Sequence, residues 1–301
     1  MSSDQWQLQS YMKERIQLID LALDRYLPGA ETLPTVLHDA MRYSVFAGGK
    51  RIRPILMLAA CEAVGGEVKN VMPAACAIEM IHSYSLVHDD LPAMDDDDLR
   101  RGNATNHKVY GEATAILAGD GLLTEAFILL SNPDTWGDAP ADKYCEVLHI
   151  LAKSAGSRGM VGGQVVDMEA EAKPVDLPTL EYIHTHKTGA LILAAIEIGA
   201  LLGGASEQQH RALCRYGEAA GLAFQVADDI LDIVADPSQL GKDIGSDQQR
   251  GKATYPALLG LAGARQRASE LRELAFSSLD IFGDSARPLR EIASYIVNRS
   301  C

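Results

Sequence analysis

Cysteine is scarce in this sequence and never paired: Cys61, Cys76, Cys145, Cys214 and Cys301 form no CxxC and no metal-ligand spacing. That argues against a thiolate metal site or a disulfide framework, and fits reduced, mostly buried thiols in a cytoplasmic protein. Positive charge is also short, with 27 Lys and Arg against 41 Asp and Glu and a net charge of −14. Nucleic acid and anionic membranes need basic footprints, so neither is an expected partner, and a phosphorylated substrate must be met by local cations or metal. The opening "MSSDQWQLQS" is polar, without the apolar core of a signal peptide. The most apolar stretch, "GALILAAIEIGALLGGA" from Gly189 to Ala205, is short for a membrane span and contains Glu197, which predicts a buried core helix. No strand-like alternation bounded by hairpin turns, no short-period repeat and no low-complexity segment is present.

What is present is helical periodicity in a chain of 301 residues with 47% hydrophobic composition, enough for a real core. Ile16, Ile19, Leu23 and Leu27 recur at three- and four-residue steps before Pro28-Gly29 stops the pattern. Further apolar helical runs are expected at 54–64, 71–88, 113–130, 142–154, 180–202, 207–234, 255–261 and from Arg267 onward. None of the connectors resembles an interdomain linker, so one all-α domain over 1–301 is expected. The connector "DPSQLGKDIGSDQQRGK", 236–252, is long, polar and Gly-punctuated, with the character of a lid or of a disordered segment.

Two acidic clusters stand out. In "GLAFQVADDILDIVAD", Gln225, Asp228, Asp229 and Asp232 form an i, i+3, i+4, i+7 stripe on an otherwise apolar helix. Burying carboxylates without partners costs several kcal/mol each, which makes a merely solvated face a strained explanation. In "YSLVHDDLPAMDDDDLRRG", Asp89, Asp90 and Asp95 to Asp98 crowd one short segment behind Glu79, His82 and Leu86. Six steps of about 100° leave Asp89 and Asp95 on different faces of an ideal helix. Pro92 lacks an amide donor, and a break there would bring Asp95 near Asp89; without it, an acidic solvated loop is the plain alternative. Oxygen ligands without His or Cys favour Mg²⁺, which takes one or two carboxylates plus substrate phosphates. Local cations lie in "GGKRIRP" with Lys50, Arg51 and Arg53, in "LRRG" with Arg100 and Arg101, in "HKTG" with Lys187, and in two "GK" steps with Lys242 and Lys252.

The ordered series "GGKRIRP", "HSYSLVHDDLPAMDDDDLRRG", "GMVGGQVVDME", "HKTGALI", "FQVADDILD" and "GKDIGSDQQRGKATYP" resembles the trans-isoprenyl diphosphate synthases, most of all the bacterial farnesyl diphosphate synthases. The resemblance covers about Leu37 to about Leu258. It implies an all-α bundle of roughly ten antiparallel helices around a central cavity, assembled as a homodimer. It implies three Mg²⁺ ions on Asp89, Asp95 and Asp228, with Asp90, Asp229 and Asp232 as supporting acids. Arg100, Lys187 and Lys242 would grip the allylic diphosphate, with Lys252 a further substrate-binding cation. Lys50, Arg53, His82 and Arg101 would hold isopentenyl diphosphate. The Lys187 carbonyl, Thr188 and Gln225 would stabilise an allylic carbocation. Tyr84, with the "PA" insertion in "DDLPAMD", would limit the product to fifteen carbons.

The implied chemistry is ionisation of an allylic diphosphate, attack by the double bond of isopentenyl diphosphate, and proton removal by the departing pyrophosphate. A geranylgeranyl diphosphate synthase is the nearest alternative. A class I terpene cyclase is opposed by the intact "DDILD" and "GGKRIRP", and a noncatalytic prenyltransferase subunit by the retention of both aspartate motifs. An acidic magnesium phosphohydrolase would release phosphate without chain growth.

Overall fold

The computed structural model describes residues 6–136, 141–171, 173–234 and 253–298. Lys242, Lys252, the 236–252 connector and Cys301 lie outside them. The chain is all-α: α1 Leu8–Tyr26, α2 Thr35–Phe46, α3 Ile52–Ala63, α4 Val68–Asp89, α5 Asn106–Tyr110, α6 Glu112–Ser131, α7 Pro133–Trp136, α8 Ala141–Ala155, α9 Met160–Ala170, α10 Leu177–Ile183, α11 Ala190–Gly203, α12 Glu207–Val234, α13 Tyr255–Ser278 and α14 Arg287–Asn298. A π-helix, His184–Gly189, joins α10 to α11. By backbone contacts the chain divides into two compact units, one of Met1–Ile55 and Lys69–Leu148, the other of Leu56–Val68 and His149–Cys301.

In the first unit the apolar steps of α1 bury Ile19 and Leu23 completely, which stabilises by about 1.5–3 kcal/mol per side chain. α4 is buried along nearly its whole length from Val71 to Val87, with small residues where helices press close. α6 receives its neighbours through glycines: a Cβ on Gly119 would lie 2.1 Å from the His88 ring and one on Gly121 2.9 Å from Met41 Sδ. A two-residue hairpin, β1 Leu99–Arg100 with β2 Asn103–Ala104, also forms here. Periodicity could not predict it, because it rests on a turn with Arg101 (φ 54°) and Gly102 (φ 79°) both left-handed.

In the second unit glycines set the helix packing again. A Cβ on Gly199 would meet the Met57 carbonyl at 2.2 Å, and one on Gly217 the Leu193 side chain at 3.1 Å. Asp176 caps α10 by accepting from the Thr179 amide at 3.0 Å, and Thr254 caps α13. The apolar stretch expected over Gly189–Ala205 is part of a longer helical run, Leu177–Gly203, which with Glu112–Ser131 is long and apolar enough to cross a membrane. The expectation that it falls short of a span is therefore corrected: α10 and the π-helix extend it. Its α11 part buries Leu191, Ala194, Ala195 and Ile198, as the expected core helix does.

Candidate active site

In the first unit, α4 ends at Asp89 and the chain turns through Pro92. The Asp95 amide donates to the Asp89 carbonyl at 2.8 Å and the Asp96 amide to Leu91 at 3.1 Å. The break at Pro92 thus brings Asp95 back onto Asp89. Asp90 is buried and accepts from Arg100, with Nε at 2.6 Å, while Asp97 takes Arg100 Nη2 at 3.3 Å. Asp98 pairs with the exposed Lys108 at 2.7 Å. Three of the crowded aspartates are therefore compensated by nearby cations, Asp90 and Asp97 by Arg100 and Asp98 by Lys108.

The two basic motifs of this unit are clasped together. Arg101 donates to the Gly48 carbonyl, and a Cβ at Gly49 would fall 2.5 Å from its guanidinium. Gly48 and Gly49 take φ of 90° and 143°, and Arg51 is held left-handed at 48°, a conformation that needs surrounding support in a non-glycine residue. The support is a buried network: Arg51 donates to Glu79 at 2.8 Å, Asp20 at 2.9 Å and the Val45 carbonyl at 2.6 Å. Burial opposes the Arg51 charge, but Glu79 and Asp20 more than offset it, so its pKa is raised. Arg51 is spent on shaping the loop that carries Lys50 and Arg53.

His82 lies within the field of Arg53, Arg101, Arg100 and Arg51, and burial followed by these cations holds its pKa well below the usual histidine range. The expected ligands Arg53, His82, Arg100 and Arg101 thus share one electrostatic patch. Tyr84 is buried, its ring edge-on to His88 at 5.8 Å, and its hydroxyl is pushed up to about 12 by burial and then by Asp89.

In the second unit, the stripe on α12 divides. Gln225, Asp228 and Asp232 are half-buried, whereas Asp229 is buried and accepts from the Tyr255 amide at 2.9 Å and bonds His184 Nε2 at 3.1 Å. Asp229 thereby joins α12, the π-helix and the start of α13. Lys187 Nζ donates to Asp167 on α9 at 2.7 Å, and a Cβ on Gly163 would lie 2.2 Å from the Lys187 amide. Only a residue without Cβ lets α9 approach the π-helix this closely. Thr188 lies on the same π-helix, half-buried.

Sequence reasoning named Glu79 without giving it a role and passed over Asp167 and His184, which with it hold Arg51, Lys187 and Asp229, and over Gln164, whose Oε1 is buried with no hydrogen-bond partner among the described residues. Glu79 carried a signal, an acid on an otherwise apolar helix. Gln164 and Asp167 stood inside the quoted "GMVGGQVVDME", whose glycines obscured its helical character.

Residues 34–278 match the polyprenyl synthetase family. The chain belongs to that family. It is 52% identical over 263 residues to the farnesyl diphosphate synthase of Geobacillus stearothermophilus, covering 87% of this chain and 88% of the relative. It is 47% identical over 294 residues to the geranylgeranyl diphosphate synthase of Cyanophora paradoxa, covering 97% of each. Its structure is similar to that of an FPP/GFPP synthase from Zymomonas mobilis, with TM-score 0.85 and 40% identity over 96% of this chain and 98% of the other. As a polyprenyl synthetase, the chain is a trans-prenyltransferase, with the isoprenoid synthase fold of its structural neighbours.

The family uses Mg²⁺, and the donors here fit it. Asp89, Asp95 and Asp228 offer only hard carboxylate oxygens, with backbone contact drawing the first two together. Among the described residues no three His, Cys, Asp or Glu side chains form a metal cluster. Mg²⁺ binds through one or two carboxylates and substrate phosphates, so a protein cage of three is not required.

Proposed function

We propose that this polyprenyl synthetase condenses isopentenyl diphosphate with dimethylallyl and then geranyl diphosphate to give farnesyl diphosphate. The observation that carries the fifteen-carbon product is Tyr84. It lies buried on α4, five residues before Asp89, or about 7.5 Å along the helix. A stiff ring in a close-packed wall limits the growing chain. The 52% identical farnesyl diphosphate synthase supports this reading. The 47% identical geranylgeranyl diphosphate synthase, matched over nearly the whole chain, supports a twenty-carbon product as the second reading.

In this reading Asp89, Asp95 and Asp228 would hold three Mg²⁺ ions, and that metal would supply positive charge to the allylic diphosphate leaving group. Asp90 and Asp229 support them indirectly, Asp90 by orienting Arg100 and Asp229 by fixing the π-helix. Asp232 is the third supporting acid. Arg100 and Lys187 bind the allylic diphosphate, while Lys50, Arg53, His82 and Arg101 bind the isopentenyl diphosphate. The Lys187 carbonyl, Thr188 and Gln225 turn their dipoles to the allylic cation. Pyrophosphate accepts the proton lost on forming the new double bond, so no side-chain base is assigned. Lys242 and Lys252 keep their proposed substrate contacts outside the described residues.

We also assign a cytoplasmic homodimer. The exposed Ile116, Leu117 and Ile128 share one face of α6 with the half-buried Phe127, a helix surface suited to a second copy. The deciding experiment incubates the protein with isopentenyl diphosphate, dimethylallyl diphosphate and Mg²⁺ and measures product length. Farnesyl diphosphate is expected; geranylgeranyl diphosphate establishes the second reading, and phosphate release without chain growth overturns both.

A further inference from the structure

The hairpin that carries Arg100 and Arg101 has two residues per strand, with Leu99 opposite Ala104 and Arg100 opposite Asn103. An isolated two-stranded hairpin is marginal in water, and this one also holds Arg101 left-handed at φ 54°. Its shape must therefore be supplied by what it lies on.

That support is one face of α2. Ala40, Tyr43, Ser44 and Ala47 stand at i, i+3, i+4 and i+7, a single helical stripe, with Ala47 the residue that ends the helix. The Asn103 side chain donates to the Ala47 carbonyl at 3.4 Å. The Tyr43 hydroxyl donates to the Ala104 carbonyl at 2.7 Å. The Asn106 side-chain amide donates to the Ala40 carbonyl at 2.8 Å and to Ser44 Oγ at 2.7 Å. As the chain advances from 103 to 106 its partners step back from Ala47 to Ala40, so β2 and the start of α5 run antiparallel down α2. Of these bonds, that of Tyr43 is made to the hairpin backbone itself. The tyrosine ring is set for it by an edge-on contact with Tyr110, 5.6 Å between centroids, and the Tyr110 hydroxyl donates in turn to Asp39 at 2.8 Å.

The two arginines depend on this support unequally. Arg100 is held by Asp90 at 2.6 Å and Asp97 at 3.3 Å, acids of its own segment. Arg101 has no carboxylate partner among the described residues, and its guanidinium donates to the Gly48 carbonyl, just past α2. Hence α2 sets both the backbone that bears Arg101 and the loop that Arg101 reaches, the same loop that continues into Lys50 and Arg53.

We infer that Tyr43 is a positioning residue for isopentenyl diphosphate binding: by holding Ala104 on α2, its hydroxyl places Arg101 against the loop 48–50. The inference rests on the role proposed above for Arg101, through which Tyr43 acts.

Tyr43→Phe keeps the ring and removes the hydroxyl. Losing one hydrogen bond of this kind should raise the Michaelis constant for isopentenyl diphosphate about three- to tenfold. The Michaelis constant for dimethylallyl diphosphate and the turnover should stay within about twofold. Added to Arg101→Ala, the substitution should raise the isopentenyl diphosphate constant by no more than about twofold again, because the group that Tyr43 places is gone. Hydrogen exchange of the full chain, read on peptides spanning 99–104, should quicken in Tyr43→Phe. Four results each overturn the inference: unchanged exchange there, an unchanged isopentenyl diphosphate constant where Arg101→Ala raises it, an equal rise for the allylic substrate, or effects of the two substitutions that multiply in full. Arg101→Ala that leaves the constant unaltered refutes the role proposed for Arg101, whereas the hold of Tyr43 on the hairpin stands or falls on the exchange.

Discussion

Glu79→Gln removes one charge from the buried network that shapes the "GGKRIRP" loop while keeping the size of the side chain. Arg51 and Glu79 are both 2% exposed and meet at 2.8 Å. Removing one partner from such a pair costs roughly 3–5 kcal/mol, because the other charge stays buried. Arg51 keeps Asp20 at 2.9 Å and the Val45 carbonyl at 2.6 Å, and Asp20 is 40% exposed. The loss is therefore reduced, to about 2–3 kcal/mol. Both tryptophans of the chain, Trp6 and Trp136, belong to the first unit, so their fluorescence follows that unit's unfolding. The urea midpoint should fall by about 1 M at an ordinary denaturant slope. Arg51 is left-handed and sits between Lys50 and Arg53, so the Michaelis constant for isopentenyl diphosphate should rise with turnover nearly unchanged. A midpoint within about 0.3 M of the parent, together with an unchanged Michaelis constant, would refute the argument that this pair holds the loop.

Asp89→Ala and Asp228→Ala should each lower turnover by orders of magnitude with the helical circular dichroism intact, and near-normal turnover at saturating Mg²⁺ would remove them as metal ligands. His82 takes up its proton less readily folded than unfolded, so stability is fully present above about pH 6.5 and falls as pH drops through that value. His82→Gln should flatten this acid limb in urea titrations at stepped pH; parallel limbs in parent and variant contradict the assignment. His184→Ala leaves the buried Asp229 with one fewer partner and should cost about 1–3 kcal/mol, with a drop in turnover that His184→Gln partly restores; unchanged stability and turnover would show that His184 positions nothing. Tyr84→Ala should lengthen the product to twenty carbons or more, as read by chromatography, and a product still of fifteen carbons would put the floor of the pocket elsewhere.

How much was legible in the sequence depended on whether the information was local. α12 and α4 were readable because their apolar residues repeat with the helix, and the break at Pro92 followed from a missing amide. The π-helix was not, since "HTHKTG" continues a helical pattern, and the close approach of α9 to Lys187 that Gly163 permits is a tertiary contact. The hairpin at 99–104 depends on a left-handed Arg101, a state that its residue type does not announce.

The same distinction governs the acidic motifs. Composition presents Asp89, Asp90, Asp95, Asp97 and Asp98 as equivalent, yet Asp90 and Asp97 embrace Arg100, Asp98 meets Lys108, and Asp95 folds back on Asp89. In the second motif, Asp229 leaves the stripe for His184 and Tyr255 although its helical register matches that of its neighbours. What separates a supporting acid from a proposed metal ligand is thus the partner that tertiary structure supplies. A cation that neutralises Asp90 before any metal arrives also lowers the repulsion felt at Asp89 and Asp95. Arg100 therefore acts on both sides of the proposed chemistry: it makes the dense aspartate segment foldable, and it sets where negative charge remains for Mg²⁺ and diphosphate to meet.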